Sequence, residues 1–139
     1  MSLSEELSRF NMLDDRDFKL ELLLDFAGKL PPVPQHLMDA DDRSNHKVHE
    51  CLTPVSLWTE LQDGKVYIHA DVPRESPTVR GFISLLIKGL SGATPQEVAD
   101  GPTNPLHDSG LAPILGMNRQ QGLAAIYQRI RREVAALTI

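Results

Sequence analysis

The chain holds one cysteine, Cys51, in the run Asn45-His46-Lys47-Val48-His49-Glu50-Cys51-Leu52-Thr53-Pro54-Val55. A lone thiol can carry out two-electron sulfur chemistry, but by itself it cannot close an internal disulfide or hold an iron–sulfur cluster. Free cysteine is often a core residue, yet this one falls on a turn leading into a strand-like run. Lys47 and His49 would favour a thiolate and Glu50 would oppose it, so the flanking charges leave the balance open. A metal reading would use His46, His49 and Cys51, spaced H-x2-H-x-C, with Asp41 or Asp42 as fourth ligand; structural zinc sites usually carry more cysteine. A hydrolase reading would pair Cys51 with His69 or His107, but no local protease signature surrounds the cysteine. Gly81, Gly89 and Gly92 do not follow a strand in a phosphate-binding pattern.

The elements that must position these residues are legible as changes of period. Residues 1–13 read as a loosely held amphipathic lead. Asp14, Asp15 and Asp17 crowd the first turn of a helix, where negative charge suits the macrodipole. Phe18, Leu22, Phe26 and Leu30 follow at four-residue spacing, and Pro31, Pro32 and Pro34 end the run. Residues 35–46 read as a solvated connection. Val55, Leu57, Thr59 and Leu61 then alternate with polar residues. Asp63-Gly64 is a hairpin turn, and Val66, Ile68 and Ala70 alternate on the way back. Residues 46–50 are expected to add a third, edge strand. Trp58 faces away from Leu57, so it either packs beneath a helix, the favoured expectation, or forms part of a partner surface.

Helical spacing returns with Val79, Phe82, Ile83, Leu86, Ile87 and Leu90, the clearest amphipathic helix in the chain. Thr94-Pro95-Gln96-Glu97 is a capping box with proline at the first helical position. Asn104-Pro105 opens a short helix that Gly110 closes. Asn118 with Gln121 is expected to cap a last helix whose Leu123, Ile126, Ile130, Val134 and Leu137 face the core. The order is one helix, two or three strands, then several helices. It predicts an α+β fold with a small antiparallel sheet of about three strands and helices on one face.

Composition bounds the function. At 139 residues the chain is read as one domain, 1–139, able to bury roughly two-thirds of its unfolded surface. With 14 basic and 19 acidic residues the formal charge is -5, which opposes a nucleic-acid role. No apolar stretch approaches the ~20 residues a membrane span needs. The first residues lack a basic and an apolar signal region, so a cytoplasmic location is expected.

Several motifs in order resemble the SufE family of sulfur-acceptor proteins, which includes the CsdE branch. They are Gly28-Lys29-Leu30-Pro31 after the first long helix, and Val48-His49-Glu50-Cys51-Leu52-Thr53-Pro54-Val55 leading into a strand. Glu75-Ser76-Pro77-Thr78-Val79-Arg80-Gly81, Thr94-Pro95-Gln96-Glu97 and Asn118-Arg119-Gln120-Gln121-Gly122-Leu123 follow. The match runs from about residue 13 to 137. Glu50 replaces the family's glycine, Pro54 and Ser56 alter the stretch after the cysteine, and the segment between Asp71 and Val79 is longer than usual.

The resemblance implies a fold shared with the IscU scaffolds and a carrier rather than an independent catalyst. Cys51 would take persulfide sulfur from a pyridoxal-phosphate cysteine desulfurase of the SufS or CsdA type and stimulate it. The sulfur would then pass to a scaffold such as SufBCD. A sheltered, apolar hollow around Cys51, backed by Leu52, Val55 and helix 79–90, is expected, with the loop swinging outward on docking. His49, Arg80 and Arg119 are expected to steady that loop or contact the partner. The chain itself is expected to hold no cofactor and no metal, and a homodimer is allowed. The alternative is a small metal-binding or interaction domain in which Cys51 is a ligand or a core residue.

Overall fold

The computed structural model describes residues 2–39, 46–49 and 51–138. Its first helix, α1 (Leu3–Asn11), begins at a capping box in which Ser2 and Glu5 exchange side-chain and backbone hydrogen bonds. Leu3, Leu7 and Phe10 are buried, so the lead is a packed helix rather than a loosely held one. Glu6 sits on that same buried face, only 1% exposed, 3.3 Å from Arg9 Nη1 and 3.7 Å from Lys88 Nζ. At the longer distance the Lys88 contact is Coulombic rather than a hydrogen bond.

The second helix, α2 (Arg16–Gly28), is capped by Asp15, whose Oδ1 accepts from the Asp17 amide at 2.7 Å. It buries Leu23, Phe26 and Ala27, while Phe18 is 58% exposed. The four-residue stripe expected to start at Phe18 is thus rotated at its N-terminal end, because the core contact runs through Leu23. After the prolines a short helix, α3 (Gln35–Met38), interrupts the expected solvated connection. Residues 40–45, including Asp41 and Asp42 of the metal reading, lie outside the described residues, as does Glu50.

Strands β1 (Ser56–Gln62) and β2 (Lys65–Asp71) pair antiparallel, with Leu57 opposite Ala70 and Trp58 opposite His69. The turn has φ of 53° at Asp63 and 78° at Gly64, the left-handed pair that a two-residue hairpin with strand-matching twist requires. The expected third strand is reduced to a single bridge between Lys47 and Ser56, so the described sheet has two strands. Trp58 is packed, as expected, at 2% exposure, and the His46 ring stacks on it at 5.3 Å. The Trp58 Nε1 has no hydrogen-bond partner among the described residues.

Helix α4 (Pro77–Leu90) is the centre of the molecule, burying all six residues of its expected apolar stripe. Two glycines let neighbours approach it closely. A Cβ at Gly81 would stand 2.2 Å from the Leu23 carbonyl oxygen of α2, and one at Gly89 would stand 2.7 Å from Leu3 Cα of α1. Short helices α5 (Pro95–Asp100) and α6 (Pro105–Asp108) follow, the first with the expected capping box at Thr94 and Glu97. A 3-10 turn (Ala112–Ile114) leads into α7 (Met117–Ala136).

Gly116, not Asn118, occupies the N-cap of α7, so the helix starts before the expected cap. Leu123, Ile126, Ile130 and Val134 face the core, whereas Leu137 is partly exposed beyond the helix end. The architecture is α+β. No helix among the described residues is long and apolar enough to cross a membrane.

Candidate functional site

Cys51 is carried at the head of a loop pinned at both ends. The Val48 amide donates to the Val55 carbonyl at 2.8 Å, and both valines are fully buried. Between these anchors the described backbone has no regular structure, which leaves the thiol free to be placed by what lies beneath it. That support is one stripe of α7. Gly122, Ile126, Arg129 and Glu133 recur at i, i+4, i+7 and i+11, so they line one side of the helix. Arg129 Nη1 donates to the Lys47 carbonyl just before the loop, and its Nε donates to Glu133 Oε2 at 2.8 Å. Glu133 Oε1 in turn accepts from Thr59 Oγ1 of β1 at 3.2 Å. The helix, the strand and the loop base are therefore tied by one hydrogen-bonded chain.

The thiol itself is half-buried over Gly122. A Cβ built there would stand 3.2 Å from Cys51 Sγ, with Cys51 Cα and Cβ at 3.6 and 3.7 Å. Beside it opens a hollow of about 170 Å³ lined by Cys51, Leu52, Thr53, Val79, Asn118, Arg119 and Gly122. Val79 brings α4 to its back, as expected. Val55 is in the core instead, and the wall is mixed rather than apolar, because Thr53, Asn118 and Arg119 add a hydroxyl, an amide and a guanidinium. Two apolar side chains stand out at this end of the molecule, Leu52 at 87% exposure and Met117 at 70%.

The residues expected to assist the cysteine are dispersed. Arg119 is with Cys51, exposed and without an ion pair among the described residues. His49 is exposed on the loop and does not line the hollow. Arg80 lines a different groove, with Pro31, Pro32 and Arg74, and its Nη1 donates to the Val72 carbonyl at 2.7 Å. Adjacent positions on α4 thus serve different sides: Val79 reaches the thiol hollow and Arg80 does not. His69 bonds Glu60 at 3.3 Å on the sheet's outer face, and His107 bonds Asp108 at 3.4 Å on α6. Neither lines the cysteine hollow, so neither is set as a base for it. The His46 Nδ1–H donates to the Leu57 carbonyl at 2.9 Å while the ring stacks on Trp58. Among the described residues no three histidine, cysteine or carboxylate side chains converge as a metal site would require.

Sequence reasoning misses Gly122, Asn118 and Arg129 as contributors to the site. A glycine inside a twenty-residue helix is the available signal for the first, since glycine weakens a helix interior. For Arg129 there is none, because its acceptor is a backbone carbonyl 82 residues away.

The α+β fold thus presents one thiol on a loop pinned against α7, with no histidine or carboxylate lining the hollow among the described residues. The family comparison matches residues 4–134 to the SufE family, described as an Fe-S metabolism associated domain, and this chain belongs to that family. An uncharacterised SufE-like protein of Mycobacterium tuberculosis is 35% identical over 133 residues, covering 95% of this chain and 90% of the relative. A SufE-like protein of Synechocystis sp. is 28% identical over 138 residues, covering 99% and 83%. The solution structure of a hypothetical protein from Thermus thermophilus superposes with a TM-score of 0.83 at 33% identity, with 100% of each chain covered.

Proposed function

We propose that this chain is a sulfur acceptor and carrier of iron–sulfur cluster assembly, working on Cys51 without turnover of its own. The observation that carries the reading is the placement of the thiol: half-buried on a tethered loop, over bare helix, beside a hollow large enough for a further sulfur atom. Family membership gives the association with Fe–S metabolism.

The step balances without an external oxidant. A cysteine desulfurase of the pyridoxal-phosphate class presents its own persulfide, enzyme–S–SH. The Cys51 thiolate attacks the terminal sulfur. The donor S–S bond breaks, the desulfurase thiolate leaves and takes up a proton, and Cys51–S–S⁻ remains. Sulfane sulfur changes owner and no net electrons are added. The rate depends on thiolate fraction, nucleophilicity and access.

The carrier persulfide is an anion at the end of a loop. The Thr53 hydroxyl, Asn118 amide and Arg119 guanidinium are the donors in the hollow that suit it. Loss of a persulfide to reductants or oxidants favours such shelter. The exposed Leu52 and Met117 offer the desulfurase an apolar contact next to the thiol, and docking there would draw the loop outward. A SufS- or CsdA-like desulfurase upstream, a SufBCD-like scaffold downstream and a cytoplasmic setting complete the reading.

The test is alanine release by a desulfurase with and without this protein. Stimulation by wild type that is lost in Cys51→Ser supports the carrier. Equal stimulation by Cys51→Ser rejects it.

A further inference from the structure

The hollow and the thiol share one wall that has no side chain. Gly122 lies well inside α7, where glycine is a weak helix former, and it is buried beneath Cys51. Carbon and sulfur in unstrained contact need about 3.5–4 Å, whereas a methyl at position 122 would sit 3.2 Å from Sγ. The same methyl would stand in ordinary contact with Cys51 Cα and Cβ, at 3.6 and 3.7 Å. The backbone could therefore stay in place while the sulfur turns away. The helix closes one side, so the open direction is the hollow shared by Thr53, Asn118 and Arg119.

We infer that Gly122 is a positioning residue: its missing side chain seats the Cys51 sulfur against α7 and leaves the neighbouring hollow free for a second sulfur atom. The second half of this inference rests on the carrier reading above; the first half does not. Glycine here acts through the cysteine and touches no substrate of its own. A merely structural role makes the opposite forecast, since alanine in a helix interior should only stabilise the fold and leave the thiol unchanged.

The experiment compares wild type with Gly122→Ala in the isolated full chain, with no desulfurase present. Iodoacetamide modification of Cys51 is followed by intact mass, and the melting temperature is recorded on the same samples. The expected result is modification faster by about 3- to 10-fold in the folded variant, because access governs thiol reactivity. An unchanged or slower rate in a folded Gly122→Ala overturns the inference. Wild type gives a check that needs no variant: its Cys51 should react more slowly than in the urea-unfolded chain, and equal rates also overturn it.

A further arm uses protein first charged by a desulfurase and then freed of it. Dithiothreitol should strip the sulfane sulfur from Gly122→Ala faster than from wild type, and equal stripping overturns the claim that the hollow is kept for it. A wild type that accepts no sulfur at all would defeat the carrier reading, yet the alkylation comparison would still decide the seat of the thiol.

Discussion

At the scale of single residues, Cys51 is defined by its supports more than by its immediate neighbours. Arg119 supplies a cation at the rim of the hollow, exposed and without an ion pair among the described residues, so its charge is available to an anionic sulfur or an acidic partner. Replacing it with alanine should leave the melting temperature within about a degree, since exposed charges add little to stability. Desulfurase stimulation should nevertheless fall by roughly 10-fold, because charges at an interface rim act mainly on productive encounter. Titrating desulfurase with Arg119→Ala distinguishes the outcomes, and full stimulation would return Arg119 to the ordinary surface. Arg129 makes the opposite kind of contribution. Its guanidinium bonds both Glu133 and the Lys47 carbonyl, so Arg129→Ala should cost about 1–3 kcal/mol in urea unfolding, as loss of a charge-assisted bond does.

At the scale of elements, the chain signals some features openly and hides others. The α4 stripe from Val79 to Leu90 and the Asp63-Gly64 hairpin can be read directly, because each depends on local periodicity or local turn chemistry. Helix α1 is harder to read since Glu6 interrupts its apolar face; Arg9 pairs with it locally, and the fold adds the Lys88 charge from α4. The third strand shrinks to one bridge because the Val48–Val55 hydrogen bond closes a loop where a longer ladder is expected. Asn118 suits a cap by its type, but Gly116 takes that role and frees Asn118 to face the thiol hollow. The cysteine is legible as a chemical group, and its seat on Gly122 is not, since that contact joins two elements far apart in the sequence.

Close helix packing gives the next expectation. Gly81→Ala would drive a methyl into the Leu23 carbonyl of α2, so α2 must shift and stability should fall by about 1–3 kcal/mol. A variant as stable as wild type in urea would show that the α2–α4 crossing is looser than the structure has it. The two capping boxes set an acid response. Backbone and side-chain hydrogen bonds from Ser2 and Thr94 hold the Glu5 and Glu97 carboxyls below the usual 4.5. A depressed carboxyl stabilises the fold above 4.5, and that contribution disappears as pH falls through the folded value. Melting curves of a Glu5→Gln/Glu97→Gln double variant should therefore lose part of the acid-side slope below pH 4.5 while keeping the slope above it.

At the scale of the whole molecule, the packed helices form the body and the thiol rides on a loop fastened to the last of them. Tyr127 fixes that helix from the other side, buried with its hydroxyl bonded to the Pro102 carbonyl. Desolvation raises its ionisation above the usual 10. Stability from the neutral phenol is complete below 10 and is lost as pH climbs through the higher folded value. This division of labour suits the proposed carrier: a stable core keeps the loop base in register, and only the loop would have to move on docking.

The most direct test of the account is intact mass of this chain after incubation with a cysteine desulfurase and cysteine. A gain of a single sulfur atom on Cys51, removed by dithiothreitol and absent from Cys51→Ser, is expected. A fully charged desulfurase that leaves the wild-type mass unchanged would contradict it.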